Sequence, residues 1–124
     1  MAPRKSVFLI GVVFTVGLAS GLALARWLPA DNQLQSKSLL DNQRLTVTEI
    51  TMPPGARRPP YTRPADQLIV FVDEADYEAT DAEGKKQVRH RQSGEIVWHN
   101  KGEAAPLLVN TGRKAYRNLV IALK

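Results

Sequence analysis

Two histidines are the only imidazoles in this chain of 124 residues: His90, within RHRQ, and His99, within VWHNKGE. Imidazole and carboxylate are common donors to a divalent cation, and Glu95 and Glu103 stand close by in sequence. Arg89, Arg91 and Lys101, however, put positive charge beside any bound cation. His90 and His99 are therefore a weak metal pair, and a hydrogen-bonding role on a β surface is the expectation for each. Ser20 and Ser93 have no histidine and carboxylate partners at a recognisable nucleophile elbow. Asp73, Glu74 and Asp76 form an acidic cluster that reads as a solvated strand end. A calcium loop needs oxygen ligands at alternating positions around a central glycine, and these are missing. The absence of cysteine excludes disulfides, thiolate metal sites and a cysteine nucleophile. No catalytic residue and no cofactor is expected.

The elements that must position these groups begin after an apolar block. Met1–Ser6 is short and basic, and Val7–Ala25 runs for nineteen residues without a charge. As a helix at about 1.5 Å per residue it would reach roughly 28 Å, close to the ~30 Å hydrocarbon core of a bilayer. It lacks the polar face of a core helix, and Arg26 and Trp27 follow where interfacial anchors belong. Residues 1–28 are thus expected to be a transmembrane signal anchor. The cationic start stays in the cytoplasm, and the rest lies across the inner membrane. The alternative is cleavage after Ala23-Leu24-Ala25 and release to the periplasm. Residues 29–43 are polar and amide-rich and read as a tether.

The net charge of +5 includes Arg4, Lys5 and Arg26 around that block. Setting these aside leaves 14 basic against 12 acidic residues, too even a balance for a nucleic-acid surface. From Arg44 the texture is β-rich. Arg44–Met52 alternates, with Leu45 and Val47 on one side and Thr46 and Thr48 on the other. LIVFV within Gln67–Asp73 predicts a strand buried on both faces. Tyr77–Thr80 reads as its partner, and Asp81–Gly84 as a hairpin turn with Gly84 suited to positive φ. Gln87–Arg91 is a polar strand at an edge or on the solvent face. Glu95–Trp98, Leu107–Val109 and Tyr116–Leu123 complete the set, with glycine turns between. Short strands at this spacing, with no helical pattern among them, predict a sandwich or barrel.

Met52-Pro-Pro-Gly55, Pro59-Pro-Tyr-Thr-Arg63, Gly94-Glu-Ile-Val-Trp98, Lys101-Gly-Glu103, Asn110-Thr-Gly112 and the ending Leu119–Lys124 together resemble single-domain cupins. The resemblance covers residues 44–124 and implies an all-β, cupin-type double-stranded β-helix (a jelly-roll barrel), preceded here by one N-terminal transmembrane helix. Metal-binding cupins take two histidines and a glutamate from the first motif and a histidine from the second. The resemblance lays those positions on Tyr61, Arg63, Gln67 and Ala105, of which arginine offers no lone pair and alanine no ligand at all. It therefore implies a barrel without the family's metal.

The expectation is a membrane-tethered, metal-free barrel that takes a small anion at its mouth through Arg63, with Tyr61 and Gln67 orienting it. Trp98 is expected to pack in or near the barrel and, with Ala105, completes the candidate pocket. Arg57-Arg58 reads as a solvated basic pair, and Arg63 itself has the alternative of pointing to solvent or pairing with Asp66. A structural module that docks another envelope protein, and a metal-dependent enzyme using His90 and His99, are the alternative functions. Pairing into a homodimer through an edge strand or a sheet face would help so small a barrel.

Overall fold

The computed structural model describes residues 32–124, and they form eleven strands with no α-helix among them. The strands are β1 (Gln35–Asp41), β2 (Leu45–Met52), β3 (Arg57–Arg58), β4 (Tyr61–Thr62), β5 (Gln67–Phe71) and β6 (Ala75–Thr80). After them come β7 (Lys86–Arg91), β8 (Ile96–His99), β9 (Ala104–Ala105), β10 (Leu107–Asn110) and β11 (Tyr116–Leu123). They assemble as a five-stranded sheet, β1-β2-β11-β5-β8, a four-stranded sheet, β3-β10-β6-β7, and the short pair β4-β9. Every pairing is antiparallel.

The expected all-β class holds, and the strands at Arg44–Met52 and Tyr116–Leu123 lie where the alternation places them. Two expectations are corrected. The expected tether contains a strand within its described part: Gln35–Asp41 pairs with β2 as the outer strand of the larger sheet. A bulge between Ser38 and Leu40 interrupts that pairing. Moreover, Tyr77–Thr80 does not pair with Gln67–Asp73: β5 lies between β11 and β8, and β6 lies between β10 and β7 in the other sheet. The reason is burial. β6 buries Ala75, Tyr77 and Ala79 on one face, and β5 aims Ile69 and Phe71 at the same core from the opposite sheet. The two strands meet face to face, with the Phe71 and Tyr77 rings stacked at 6.2 Å. The hairpin at Asp81–Gly84 and the polar edge strand β7 are as expected; Gly84 has φ +84°.

Met52, Ala56, Phe71, Ala75, Tyr77 and Tyr116 form the buried core, joined by Ile50, Ile69, Val97 and Leu108. Tyr116 lies 6.2 Å from Phe71 and 6.0 Å from Tyr77 between ring centroids, within the usual range for aromatic pairs. The expected membrane span, residues 7–25, lies outside the described residues; among the described residues no helix is long and apolar enough to cross a membrane.

Asn110 explains the Asn-Thr-Gly turn. Its buried Nδ2 donates to the carbonyls of Met52 at 2.7 Å and Lys114 at 2.9 Å, while its Oδ1 accepts from Gly112 N at 2.9 Å. One amide side chain thus locks the end of β2 to the loop between β10 and β11. Asn110→Ala leaves these backbone groups without that partner, and a buried polar group so stranded costs roughly 1–3 kcal/mol. Urea denaturation is expected to show a loss of about 2–4 kcal/mol for Asn110→Ala, and a comparable loss for Asn110→Asp, which removes both donors.

Candidate functional site

The site begins where β4 meets β9. Tyr61 faces Ala105 and Thr62 faces Ala104 in register. The chain after β4 is then tied to the turn before β9: Arg63 N donates to Glu103 O at 2.9 Å, and Gly102 N to Arg63 O at 2.8 Å. Gly102 adopts φ +88°, which glycine reaches without strain. This double tie turns the Arg63 side chain inward, where it is only 4% exposed. Asp66 is occupied elsewhere, accepting from Lys101 N at 2.8 Å.

Arg63 Nη1 donates to Gln67 Oε1 at 2.9 Å and to the Tyr61 hydroxyl at 3.2 Å, and that hydroxyl donates to Gln67 Oε1 at 3.3 Å. Three of the expected pocket residues therefore converge. The Tyr61 ring carries two cations, with the Arg58 guanidinium 5.2 Å and the Arg63 guanidinium 5.6 Å from its centroid. Arg58 was expected to be solvated with Arg57; instead β3 turns it inward, and its Nη2 donates to Pro106 O. Burial lowers the pKa of Arg58, and the charge of Arg63 adds to that effect.

Inside these residues lies a cavity of about 500 Å³. Ile50, Met52, Ile69, Phe71, Val97 and Leu108 make its wall largely apolar, while Arg58, Tyr61, Arg63, His99 and Glu103 cluster their polar groups on its lining. Tyr116 also lines it, and burial raises its phenol pKa far above the ordinary value, so the hydroxyl keeps its proton. Among the described residues, Arg58 Nε, Arg63 Nε and the Tyr116 hydroxyl are buried without a hydrogen-bond partner. Arg91 also borders the cavity but is tied to neighbours: its Nε donates to the Tyr77 hydroxyl at 3.1 Å and its Nη1 to Glu95 Oε2 at 2.6 Å.

Gln67 is buried behind Tyr61 and Arg63, and Ala105 is buried opposite Tyr61; neither lines the cavity. Trp98 is a correction. It is about half exposed, and its Nε1 donates to Asn100 Oδ1 at 2.9 Å on the outside. Side chains alternate along β8, so the inward places go to Val97 and His99. That period-two pattern in IVWH was the available signal for His99. Arg58 gave none, because nothing in sequence says which of two adjacent arginines turns in.

His90 and His99 do not come together: one is on β7 and the other on β8, in different sheets. His90 is held between two carboxylates, with Nδ1 2.7 Å from Asp76 Oδ1 and Nε2 3.2 Å from Glu74 Oε2. The Asp76 hydrogen bond raises its pKa, and both ring nitrogens face carboxylates rather than open space. His99 Nδ1 lies 3.0 Å from Glu103 Oε1. Burial lowers the His99 pKa and the charges of Arg63 and Arg58 reinforce this, against the opposing pull of Glu103. Glu103 is in turn held below the usual carboxylate range, chiefly by His99. Among the described residues no three His, Cys, Asp or Glu side chains are grouped to hold a metal ion.

No protein-family model matches the chain, and no curated protein matches it in sequence. Solved structures do match. A cupin domain from Bordetella pertussis Tohama I is similar at a TM-score of 0.67 and 20% identity, covering 74% of this chain and 94% of that one. The polyketide cyclase RemF from Streptomyces resistomycificus is similar at a TM-score of 0.61 and 19% identity over 73% of this chain, which spans 64% of that protein. The DMSP lyase DddQ from Ruegeria pomeroyi is similar at 0.59 and 23% identity over 78% of this chain, which spans 51% of its length. What these likenesses establish is architecture: residues 32–124 have the jelly-roll fold of cupin domains.

Proposed function

We propose that this chain is a membrane-tethered, small-molecule-binding cupin-fold domain that takes an anion with an apolar body into its cavity without a resident metal. The observation that carries this reading is the set of unpartnered donors, Arg58 Nε, Arg63 Nε and the Tyr116 hydroxyl, on residues that line one largely apolar cavity. A carboxylate offers acceptors to guanidinium groups, and the wall suits a hydrocarbon tail or ring. The cavity volume lies within the usual range for ligand pockets, about 300–1,000 Å³. The four positions that the family resemblance assigns to a metal do not suit a cation. Arg63 fills their midst with a fixed positive charge, bonded to Tyr61 and Gln67. The charge-free run from Val7 to Ala25 is the proposed anchor, with the barrel outside the cytoplasm.

A second reading, a protein-interaction module, rests on the outer face of the five-stranded sheet. The register sets Trp98, Leu68, Ile121, Val47 and Leu40 in one row across all five strands, and Ile96, Val70 and Leu119 in the next. Strands about 4.8 Å apart make this patch roughly 20 Å wide and on the order of 300–400 Å², below the ~800 Å² per partner of a standard interface. Its proposed occupant is a second copy of the chain, held weakly.

Isothermal calorimetry with 3-phenylpropanoate and octanoate is expected to give saturable heat, with inorganic phosphate much weaker. Arg63→Ala should weaken binding about 10–100-fold, the worth of a charge-assisted hydrogen bond. Absence of heat with every anion would retire the pocket. In proton NMR, His99 should titrate below the ordinary 6.5 in the free protein, and move up when a bound carboxylate offsets the charge of Arg63 and Arg58; an unmoved His99 would place the anion elsewhere. Sedimentation velocity should show a monomer–dimer equilibrium that Trp98→Lys removes, and a monomer at all concentrations would eliminate the second reading. Alkaline carbonate should leave the full chain in the membrane pellet, whereas release to the supernatant would remove the anchor.

A further inference from the structure

The polar groups of the cavity include a pair that binding does not need. His99 and Glu103 both line it, and the His99 ring is oriented by its Nδ1 hydrogen bond to Glu103 Oε1. A carboxylate accepting from Nδ1–H fixes the tautomer in which Nε2 carries the lone pair. Among the described residues no protein group hydrogen-bonds that Nε2. Burial within the site favours the neutral ring, the form able to accept a proton. The backbone ties Glu103 directly to Arg63, through Arg63 N to Glu103 O at 2.9 Å. A base, its orienting carboxylate and the cations that would hold an anion therefore share one stretch of lining.

From this geometry, and resting on the anion-pocket reading above, we infer that the cavity catalyses proton transfer at a carbon next to a carbonyl, with His99 as the general base and substrates of the aryl- or alkyl-substituted 2-oxo carboxylate class. The substrate's carboxylate would lie against Arg63 and Arg58, and its ring or chain against the apolar wall. His99 Nε2 takes a proton from C3. The C3–H electron pair forms the C2=C3 double bond, and the carbonyl pair moves onto oxygen as an enolate beside the two guanidinium groups. The imidazolium trades its proton with solvent and delivers one back to the same face of C3, completing exchange with retention, or to oxygen, giving the enol. Nothing is oxidised or reduced, no group leaves, and no co-reactant is consumed. Glu103 is a positioning residue: it holds the ring and stabilises the imidazolium without touching substrate.

Phenylpyruvate is the probe, because it unites a carboxylate, an aromatic body and exchangeable C3 protons. The full chain is incubated with it in D₂O, loss of the C3 proton signal is followed by NMR, and binding is measured in parallel by calorimetry. Exchange faster than buffer is expected, slowed at least 100-fold in His99→Gln with binding heat retained, the usual worth of a general base being about 10²–10⁴. Free imidazole should restore exchange to His99→Ala, which a merely structural histidine would not allow. Glu103→Gln should lower kcat about tenfold or more and leave KM unchanged. Binding heat without enzyme-dependent exchange, or exchange that survives His99→Gln, overturns the catalytic inference and leaves the anion pocket standing. Absence of both heat and exchange overturns the pocket itself.

Discussion

A guanidinium cannot be taken out of water without acceptors, and Arg63 is taken almost wholly out of it. Gln67 Oε1 and the Tyr61 hydroxyl supply acceptors for one nitrogen of the fork, and the Tyr61 ring presents its face to the charge. The arrangement satisfies only part of the group. Its remaining donor capacity, with that of Arg58, gives one part of the cavity a positive potential in an otherwise hydrocarbon interior. Burial lowers the pKa of His99 and the same charge adds to that effect, and a cation placed among Tyr61, Arg63 and Gln67 would meet it head-on. The polarity of the cavity therefore owes much to Arg63 and to the two backbone bonds that turn it inward, with Arg58 beside it.

Much of the fold was legible because strands write their environment with a period of two. Tyr116–Leu123 and Arg44–Met52 could be read directly, and Gly84 marked its hairpin. What alternation cannot say is which strand lies beside which. β5 and β6 are consecutive and both apolar, so side-by-side pairing was the economical reading; only burial of Tyr77 against Phe71 shows that they face each other across the core. β1 was hidden for the opposite reason. Its seven residues are exposed throughout, so an edge strand held by backbone bonds to β2 had the composition of a tether.

The site was legible in proportion to how far each residue's role depends on its own backbone. Tyr61, Arg63 and Gln67 converge as the family spacing implies. Trp98 was misplaced because a large apolar side chain invites an interior assignment, yet the pleat gives the interior to its neighbours Val97 and His99. The Trp98 ring instead joins Ile96, Leu68 and Ile121 on a face that is apolar on the side away from the core. The five-stranded sheet thus carries hydrocarbon on both surfaces, one turned to the cavity and the other outward.

β11 is the last strand in the chain order of the described residues, yet it lies at the middle of the larger sheet, between β2 and β5. On a ribosome, β2 emerges long before the only strand that can join it to β5. Until Tyr116–Leu123 has left the exit tunnel, the sheet is two unconnected halves with their hydrogen-bonding edges open. The larger sheet can therefore close only once β11 has emerged, and a chaperone that shields β2 and β5 in that interval would be guarding the edges most exposed to mispairing.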